Sequence, residues 1–287
     1  MFLKVLEYSA KPRNIIFPIP IIPVIVGLYA SQGVISEILK PILLTFMLYP
    51  AINLWNHIND AEDDAISGRD TPFTIEPIRK YTVFSILALY ILSLAFVYIN
   101  AKIHGLIAYM LVLTMTFIYS DTMITKLRLK RHYIGEIIVY MITIPAYILM
   151  LYSVTSSLTI DAIKLATVLT PLLISSLFIK DLKDISSDKK VGLKTLGTVF
   201  SPESLVKTYS FLLLVYFIIG TFVFKEEMSI LPFIPVIGVI YGIYKFHRSG
   251  WRIARDTVKY FTMITYSGLL SLVLIIAYLA GKTLLLL

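Results

Sequence analysis

Long apolar segments, separated by short polar connections, occupy most of the 287-residue chain. Each has about 17 to 23 residues, close to what an α-helix needs to cross a hydrocarbon core of about 30 Å. Hydrophobic residues make up 57% of the chain, more than a soluble core would bury. The pattern predicts an all-α polytopic membrane protein with nine transmembrane helices, at approximately 14–31, 38–57, 81–99, 103–120, 134–154, 161–180, 207–224, 230–246 and 259–281.

The distribution of Lys and Arg predicts the orientation of these helices. Of the 26 Lys and Arg residues, 21 fall on alternate connections, beginning with the N-terminus. The remaining connections carry only Lys40, Lys102, Lys164, Lys225 and Lys282. Because cytoplasmic connections carry the excess of positive charge, the N-terminus is predicted inside and the C-terminus outside. The net charge of +8 then reflects topology and attraction to membrane lipid, and it gives no evidence for a nucleic-acid partner.

Two acidic segments interrupt the apolar pattern at equivalent places. The first, 56–64, ends the second predicted span, and the other, 181–188, ends the sixth. If the second helix continues through its segment, Asn59 and Asp63 share a face, with Asn56 one turn earlier. Because four spans separate the segments, both face the cytoplasm. We expect them to meet across one cytoplasm-facing cavity.

The carboxylates of these segments require a compensating cation. Asp181, Asp184 and Asp188 fall at i, i+3 and i+7, so they project the same way from a continuous helix. A carboxylate at mid-bilayer costs about 2.5 to 3.5 kcal/mol. Oxygen ligands in a chain without Cys favour a hard divalent ion such as Mg²⁺. The alternative is that both segments are solvated loops, which explains one acidic cluster more easily than two matched ones.

Basic side chains gather on the same predicted side, at Arg69, Lys126, Arg128, Lys130, Lys189, Lys190 and Lys194. Each alone is explained by membrane topology, but beside two acidic clusters the set fits a diphosphate, whose charge Lys and Arg neutralise. Tyr119 and Ser120, at the end of the fourth span, lie at the depth of the same cavity. Glu136 is either a general base or a helix-end carboxylate paired with Lys130 or Arg131.

Two other classes of membrane protein also use buried polar groups. A transporter of metal cations or phosphate-containing solutes would have polar groups near the bilayer midplane, whereas these carboxylates lie at helix ends on one predicted side. A CDP-alcohol-type phosphotransferase would carry a D-G-x-x-A-R segment followed by G-x-x-x-D-x-x-x-D, and the sequence contains neither. Both classes remain as alternatives to an enzyme that acts on a diphosphate.

The chain resembles the UbiA superfamily of intramembrane prenyltransferases along almost its whole length. The segment Asn56-x-x-Asn59-Asp60-x-x-Asp63 is similar to the family motif N-x-x-N-D-x-x-D-x-x-x-D, with Ser67 at the last Asp position. The segment Asp181-x-x-Asp184-x-x-x-Asp188, followed by Lys190, Gly192 and Lys194-Thr195-Leu196, is similar to the second family motif. Tyr119-Ser120 with Arg128 and Lys130 resembles the Y-S…R-x-K segment between spans four and five.

The resemblance implies a role for each matching residue. Two Mg²⁺ ions that bridge the diphosphate are expected on Asn59, Asp60, Asp63, Asp181, Asp184 and Asp188. Diphosphate binding is expected at Asn56, Arg69, Lys126, Arg128, Lys130, Lys190 and Lys194, where Arg69 replaces an arginine of the family motif. The catalytic residues are expected to be Asp63, Asp184, Arg128, Lys130 and Tyr119.

The resemblance also implies the reaction. The protein is expected to transfer an isoprenyl group from a prenyl diphosphate, with geranylgeranyl diphosphate as the first candidate, to a lipophilic acceptor in lipid or quinone biosynthesis. The expected protein is an integral protein of the cell membrane with its active site facing the cytoplasm. It forms a single transmembrane domain over 1–287, built of two similar halves at roughly 1–133 and 134–287.

Overall fold

The computed structural model describes residues 2–9, 20–68, 70–180, 182, 185–225, 230–251 and 255–285, and these contain helices but no β-strand. The predicted all-α class is therefore confirmed for the described residues. The chain divides into two compact units, Met1–Thr159 and Ile160–Leu287. The predicted single domain with similar halves meeting at 133 and 134 stays a prediction.

In the part of the first unit that the structure describes, six α-helices follow one another along the chain. Their bounds are α1 (Phe2–Ser9), α2 (Ile21–Ser31), α3 (Ile35–Ile66), α4 (Glu76–Asn100), α5 (Ile103–Ser120) and α6 (Tyr133–Ser153). Short 3₁₀ turns lie at Pro72–Thr74 and Leu129–Arg131. Helix α3 packs along α2 and α4, and α5 packs along α6. As a result, the C-terminal end of α3 and the connection between α5 and α6 belong to the same unit.

The second unit contains the remaining helices. Their bounds are α7 (Ile160–Ser175), α8 (Leu177–Lys180), α9 (Ile185–Lys190), α10 (Leu196–Val199), α11 (Pro202–Phe224), α12 (Ile234–Arg248) and α13 (Arg255–Leu285). Helix α11 packs against α7, and α12 packs against α13. The buried Tyr209 and Tyr216 of α11 donate hydrogen bonds of 2.7 and 2.9 Å to the carbonyl oxygens of Phe261 and Gly268. These bonds satisfy the polar tips of large side chains inside an apolar core.

The surface of the helices is apolar, as expected for contact with lipid. On α4, Phe84, Leu87 and Ile91 form one face and are 59%, 51% and 66% exposed. The buried side of the same helix instead carries the polar residues Thr82 and Ser93. In a bilayer the backbone N–H and C=O groups must bond to each other, which favours helices. Contact with lipid then favours apolar side chains on the outer face.

Among the described residues, seven helical segments are long and apolar enough to cross a membrane: Ile35–Ile66, Glu76–Asn100, Ile103–Ser120, Tyr133–Ser153, Ile160–Lys180, Pro202–Phe224 and Val258–Gly281. The first and eighth predicted spans do not reach this length in the described residues. Helix α2 has 11 residues, with 10–19 outside the described residues, and α12 has 15. The count of nine spans, their single bundle and the cytoplasm-facing cavity therefore stay predictions.

Candidate active site

The first acidic segment is helical throughout. The second span was predicted to end at residue 57, but α3 continues to Ile66, nine residues further. The helix ends where Ser67 N–H bonds to the Asp63 carbonyl at 2.9 Å and Gly68 adopts a positive φ of 77°. Because the helix is continuous, Asn56, Asn59 and Asp63 lie on one side of it, as the spacing predicted.

Two asparagines of α3 hold the connection that follows α5. The Ser120 hydroxyl donates a hydrogen bond to Asn56 Oδ1. Asn59 is buried, and its Oδ1 accepts bonds of 2.8 Å from both the backbone N–H and the hydroxyl of Thr122. Its amide group donates to the Trp55 carbonyl at 2.8 Å. Both side chains therefore position residues 120–132 beside the acidic segment.

A carboxylate inside this connection shapes the loop. Asp121 is fully buried, and its two oxygens accept hydrogen bonds from the backbone N–H groups of Met123, Ile124, Thr125 and Lys126, and from the Thr125 hydroxyl. Burial alone raises the pKa of Asp121, but these hydrogen bonds outweigh it and lower the pKa from 3.8 to about 2. The loop is thus wrapped around an ionised carboxylate. Sequence reasoning missed Asp121, although an Asp after a helix, followed by Thr residues, is a turn signal.

The loop brings two predicted cations onto the carboxylates of α3. Arg128 Nη2 lies 2.6 Å from Asp63 Oδ2 and 3.1 Å from Asp60 Oδ1, and Lys130 Nζ also contacts Asp60 Oδ1. The side chains of Arg128 and Lys130 are only 7% and 12% exposed. Burial lowers the pKa of Arg128, but its bonds and charge interactions with Asp63 and Asp60 outweigh this effect and raise it. Arg128 therefore stays charged.

The geometry of Arg128 leaves part of its guanidinium available. The residue adopts a left-handed backbone conformation with φ 41°, which non-glycine residues rarely adopt. Its Nε is buried and has no hydrogen-bond partner among the described residues. An unpartnered donor beside two carboxylates fits a group that brings further oxygen acceptors, such as a phosphate.

Tyr119 joins the same cluster from the end of α5. Its hydroxyl donates a hydrogen bond of 2.9 Å to Oε1 of the buried Glu136. Lys130 Nζ lies 5.9 Å from the centre of the Tyr119 ring, so the ring face points at a positive charge. This bond comes in addition to the two predicted roles of Glu136, as a general base or as a partner of Lys130 or Arg131, and both of these stay predictions.

The start of α6 fixes the turn that carries Lys130. A Cβ atom at Gly135 would lie 2.4 Å from the Leu129 carbonyl oxygen, closer than real Cβ contacts. His132 Nδ1 accepts a bond of 3.3 Å from the Ile134 N–H and caps the helix. Only glycine permits this approach, so Gly135 is a positioning residue that the sequence analysis did not identify.

The structure describes only Leu182 and residues 185–188 of the second acidic segment. Asp188 lies in the short helix α9, and its Oδ2 accepts a hydrogen bond of 2.9 Å from the buried Thr195 hydroxyl. The Asp188 carbonyl accepts from Leu193 N–H at 2.9 Å across a turn in which Gly192 has φ 71°. Lys190 and Lys194 are exposed beside this turn.

Four further predicted site residues are either outside the described residues or exposed. Asp181, Asp184 and Arg69 lie outside the described residues, and Lys126 is exposed with φ 58°. Among the described residues, one helix ends at Lys180 and another begins at Ile185. The shared face predicted for Asp181, Asp184 and Asp188 stays a prediction, because Asp181 and Asp184 lie outside the described residues.

Asp60 and Asp63 carry carboxylate oxygens, which are the ligands that Mg²⁺ prefers. Among the described residues, no group of three or more His, Cys, Asp or Glu side chains is placed to hold one metal ion. Asp60 and Asp63 are nevertheless half-buried, 28% and 21% exposed, and their side chains offer carboxylate oxygens. Such oxygens fit Mg²⁺, which takes one or two protein carboxylates and completes its shell with water and phosphate oxygens. The cluster therefore brings carboxylate oxygens and cationic nitrogens together at the end of α3.

Solved structures with the same fold come from two archaea. A UbiA homolog from Archaeoglobus fulgidus bound to DMAPP and Mg²⁺ has a TM-score of 0.66 at 16% identity, over 96% of this chain and 99% of that one. A UbiA homolog from the same organism bound to GPP and Mg²⁺ has a TM-score of 0.65 at 17% identity, with the same coverage. The apo UbiA homolog from Aeropyrum pernix K1 has a TM-score of 0.63 at 13% identity, over 97% and 100% of the two chains.

Comparisons of sequence are more specific. An uncharacterized protein of Archaeoglobus fulgidus is 30% identical over 284 residues, which cover 94% of this chain and 96% of that protein. The model of the UbiA prenyltransferase family matches residues 20–268. This match includes the acidic end of α3, the loop that carries Arg128 and Lys130, and Asp188. The chain therefore belongs to the UbiA prenyltransferase family.

Proposed function

We propose that the protein is an integral membrane prenyltransferase that moves an isoprenyl group from a prenyl diphosphate to a lipophilic acceptor. One observation carries the proposal: Arg128 and Lys130 converge on Asp60 and Asp63 at the end of an apolar helix. Paired carboxylates and nearly buried cations at one place suit a metal-bound diphosphate, which needs both. Family membership and the all-helical fold support this assignment.

The diphosphate would be held by donors that converge on the end of α3. Arg128 offers its unpartnered Nε, and Lys130 carries a charge that Asp60 now neutralises. A metal ion held by Asp60 and Asp63 would supply positive charge to these carboxylates, which would leave Arg128 and Lys130 available to phosphate oxygens. We assign the full diphosphate-binding set to Asn56, Arg69, Lys126, Arg128, Lys130, Lys190 and Lys194.

We assign Mg²⁺ binding to Asn59, Asp60, Asp63, Asp181, Asp184 and Asp188, with two ions as the proposed number. Bound Mg²⁺ would supply positive charge that stabilises the leaving diphosphate. Asp60 and Asp63 are stronger candidates than Asn59, because Asn59 Oδ1 already accepts two hydrogen bonds from Thr122. The homologues solved with Mg²⁺ support the identity of the metal.

The reaction breaks the bond between the allylic carbon and the diphosphate oxygen, and the bonding electron pair leaves with the oxygen. Arg128 and Lys130 stabilise the charge that develops on that oxygen. The face of Tyr119 would stabilise the allylic cation, and its approach to Lys130 supports an interaction of this ring with positive charge. The acceptor then forms the new bond with its own electron pair and loses a proton. The proposed catalytic residues are Asp63, Asp184, Arg128, Lys130 and Tyr119.

The donor and the membrane orientation are part of the same proposal. Homologues bound to DMAPP and GPP support a prenyl diphosphate donor, and we propose geranylgeranyl diphosphate for this chain. We further propose nine spans in one bundle, an N-terminus in the cytoplasm, a C-terminus outside and an active site that faces the cytoplasm. The product would enter lipid or quinone biosynthesis.

The test is a search for product with purified wild-type protein. The protein is incubated with geranylgeranyl diphosphate and an extract of membrane lipids, with Mg²⁺ or with a chelator, and pyrophosphate and new prenylated species are followed by mass spectrometry. We expect pyrophosphate release that requires both Mg²⁺ and the extract, and the product mass identifies the acceptor. Absence of pyrophosphate release from dimethylallyl, geranyl and geranylgeranyl diphosphates alike would reject the proposal. Ion or phosphate flux in liposomes under those conditions would favour a transporter.

A further inference from the structure

A second polar site lies at the other end of the first unit. A cavity of about 600 Å³ is lined by residues of the helix ends and of the connection after α6. Lys40 of α3 lines it, 20 positions before Asp60, which corresponds to about 30 Å along a helix. Gly105 and Ser153 also line it, at the ends of α5 and α6 opposite to Tyr119 and Glu136. The cavity is therefore separate from the acidic cluster.

The cavity concentrates basic side chains on the side of the protein that has few of them. Lys40, Lys102 and His104 line it, although only five Lys residues fall on the connections of that predicted side. Lys40 is paired with Glu37 at 2.6 Å. Lys102 and His104 are exposed, and neither has an ion-pair partner among the described residues. Lys102 therefore offers a cation, and His104 offers a ring that can donate a hydrogen bond.

Neutral donors complete the lining. Ser156 and Ser157 line the cavity, and their hydroxyls make no hydrogen bond within the described residues. Gly105 allows α5 to approach α6 closely, because a Cβ atom there would lie 2.3 Å from Ser153 Oγ. Hydroxyl groups and cations that converge in one concave site are the groups that bind phosphate oxygens.

The rim of the cavity indicates the source of that phosphate. Ile99 lines it and is 78% exposed, and Ile103, which follows Lys102, is 62% exposed. Exposed apolar residues beside a cationic cavity match a molecule with a charged head and an apolar tail. A volume of about 600 Å³ also exceeds what a free phosphate ion fills.

We propose that this cavity binds the phosphate headgroup of a membrane lipid, at the face predicted to lie outside. Lys102, His104, Ser156 and Ser157 contact the phosphate, and Lys40 moves between Glu37 and the headgroup. The site is independent of the proposed transfer reaction, and no residue of the acidic cluster takes part.

The test uses the full chain in nanodiscs of phosphatidylglycerol or phosphatidylcholine, followed by native mass spectrometry of the lipids that remain bound after release. We expect wild type to retain phosphatidylglycerol preferentially, and Lys102→Gln combined with His104→Gln to lower this retention at least about fivefold. Both residues are exposed, so the variant should fold normally. The matched control is Lys164→Gln, which removes an exposed lysine of the same predicted side that pairs with Asp161 at 2.9 Å.

Three results would overturn the proposal. The first is equal retention by wild type and the double variant, and the second is an equal loss in the Lys164→Gln control. The third is stabilisation of lipid-free protein by inorganic phosphate that matches the effect of phosphatidylglycerol, since this would identify a free ion as the ligand. Melting temperatures in detergent, with each ligand added separately, distinguish the two sources.

Discussion

Replacement of Lys130 by Gln should change the affinities for Mg²⁺ and for diphosphate in opposite directions. Lys130 and Arg128 contact the same carboxylate oxygens that we assign to the metal. A protein cation and a metal ion therefore compete for Asp60 in the absence of substrate. When diphosphate is present, the same lysine contributes to its binding.

The size of the effect follows from the burial of the pair. Lys130 and Asp60 side chains are 12% and 28% exposed, so their interaction is only partly screened by water. A hydrogen bond between charged groups contributes about 1.5 to 3 kcal/mol net. Taking the lower value, Lys130→Gln should raise the affinity for Mg²⁺ alone about tenfold and lower the Mg²⁺-dependent affinity for diphosphate about tenfold.

Isothermal titration calorimetry with MgCl₂, and then with pyrophosphate in saturating Mg²⁺, measures both quantities on the same preparation. Arg131→Gln is the matched control, because Arg131 is the exposed next residue of the same turn. It should change neither affinity more than about twofold. A decrease in both affinities, or an unchanged affinity for Mg²⁺, would refute the competition between Lys130 and the metal.

Two further predictions concern the loop that carries these cations. The lowered pKa of Asp121 means that its ionised form stabilises the fold above pH 3.8, by about 2 kcal/mol, and that this contribution is lost as the pH falls from 3.8 towards about 2. Asp121→Asn should therefore lower the melting temperature at pH 7, and the difference from wild type should shrink below pH 3.8. If the carboxylate charge were irrelevant, the difference would persist at every pH. Gly135→Ala should displace the turn at Leu129, cost about 1 to 3 kcal/mol and reduce the transfer rate. Gly281→Ala, where no atom lies within 4 Å of the new Cβ, is the control, and equal behaviour of both variants in melting and activity assays would contradict the packing argument.

Much of the first acidic site was predictable because it depends on local spacing. A continuous helix places Asn56, Asn59 and Asp63 on one side, and α3 confirms this part of the prediction. Arg128 and Lys130 were identified from charge and resemblance, and both reach the carboxylates. The predicted span ends at residue 57, and α3 continues to Ile66, which is the condition under which these side chains share a face.

Three contacts that position the loop were not predicted from the sequence. Asn59 holds the loop through Thr122, 63 positions away, and periodicity does not report such a contact. Asp121 organises its own loop by accepting bonds from backbone N–H groups. The sequence pattern does not specify the backbone path that brings these groups to its carboxylate. Gly135 matters only because the Leu129 carbonyl lies against it. These positions support the cationic side chains without touching the predicted substrate.

The most direct test of the proposed centre is the rate of Mg²⁺-dependent pyrophosphate release by Asp63→Asn, compared with Glu62→Gln. Asp63 contacts Arg128, whereas Glu62 is its exposed neighbour on the same helix turn. We predict that Asp63→Asn lowers the rate at least about 100-fold, equivalent to about 2.7 kcal/mol of transition-state stabilisation, and that Glu62→Gln keeps it within about twofold. Full activity in Asp63→Asn, or an equal loss in both variants, would contradict the account.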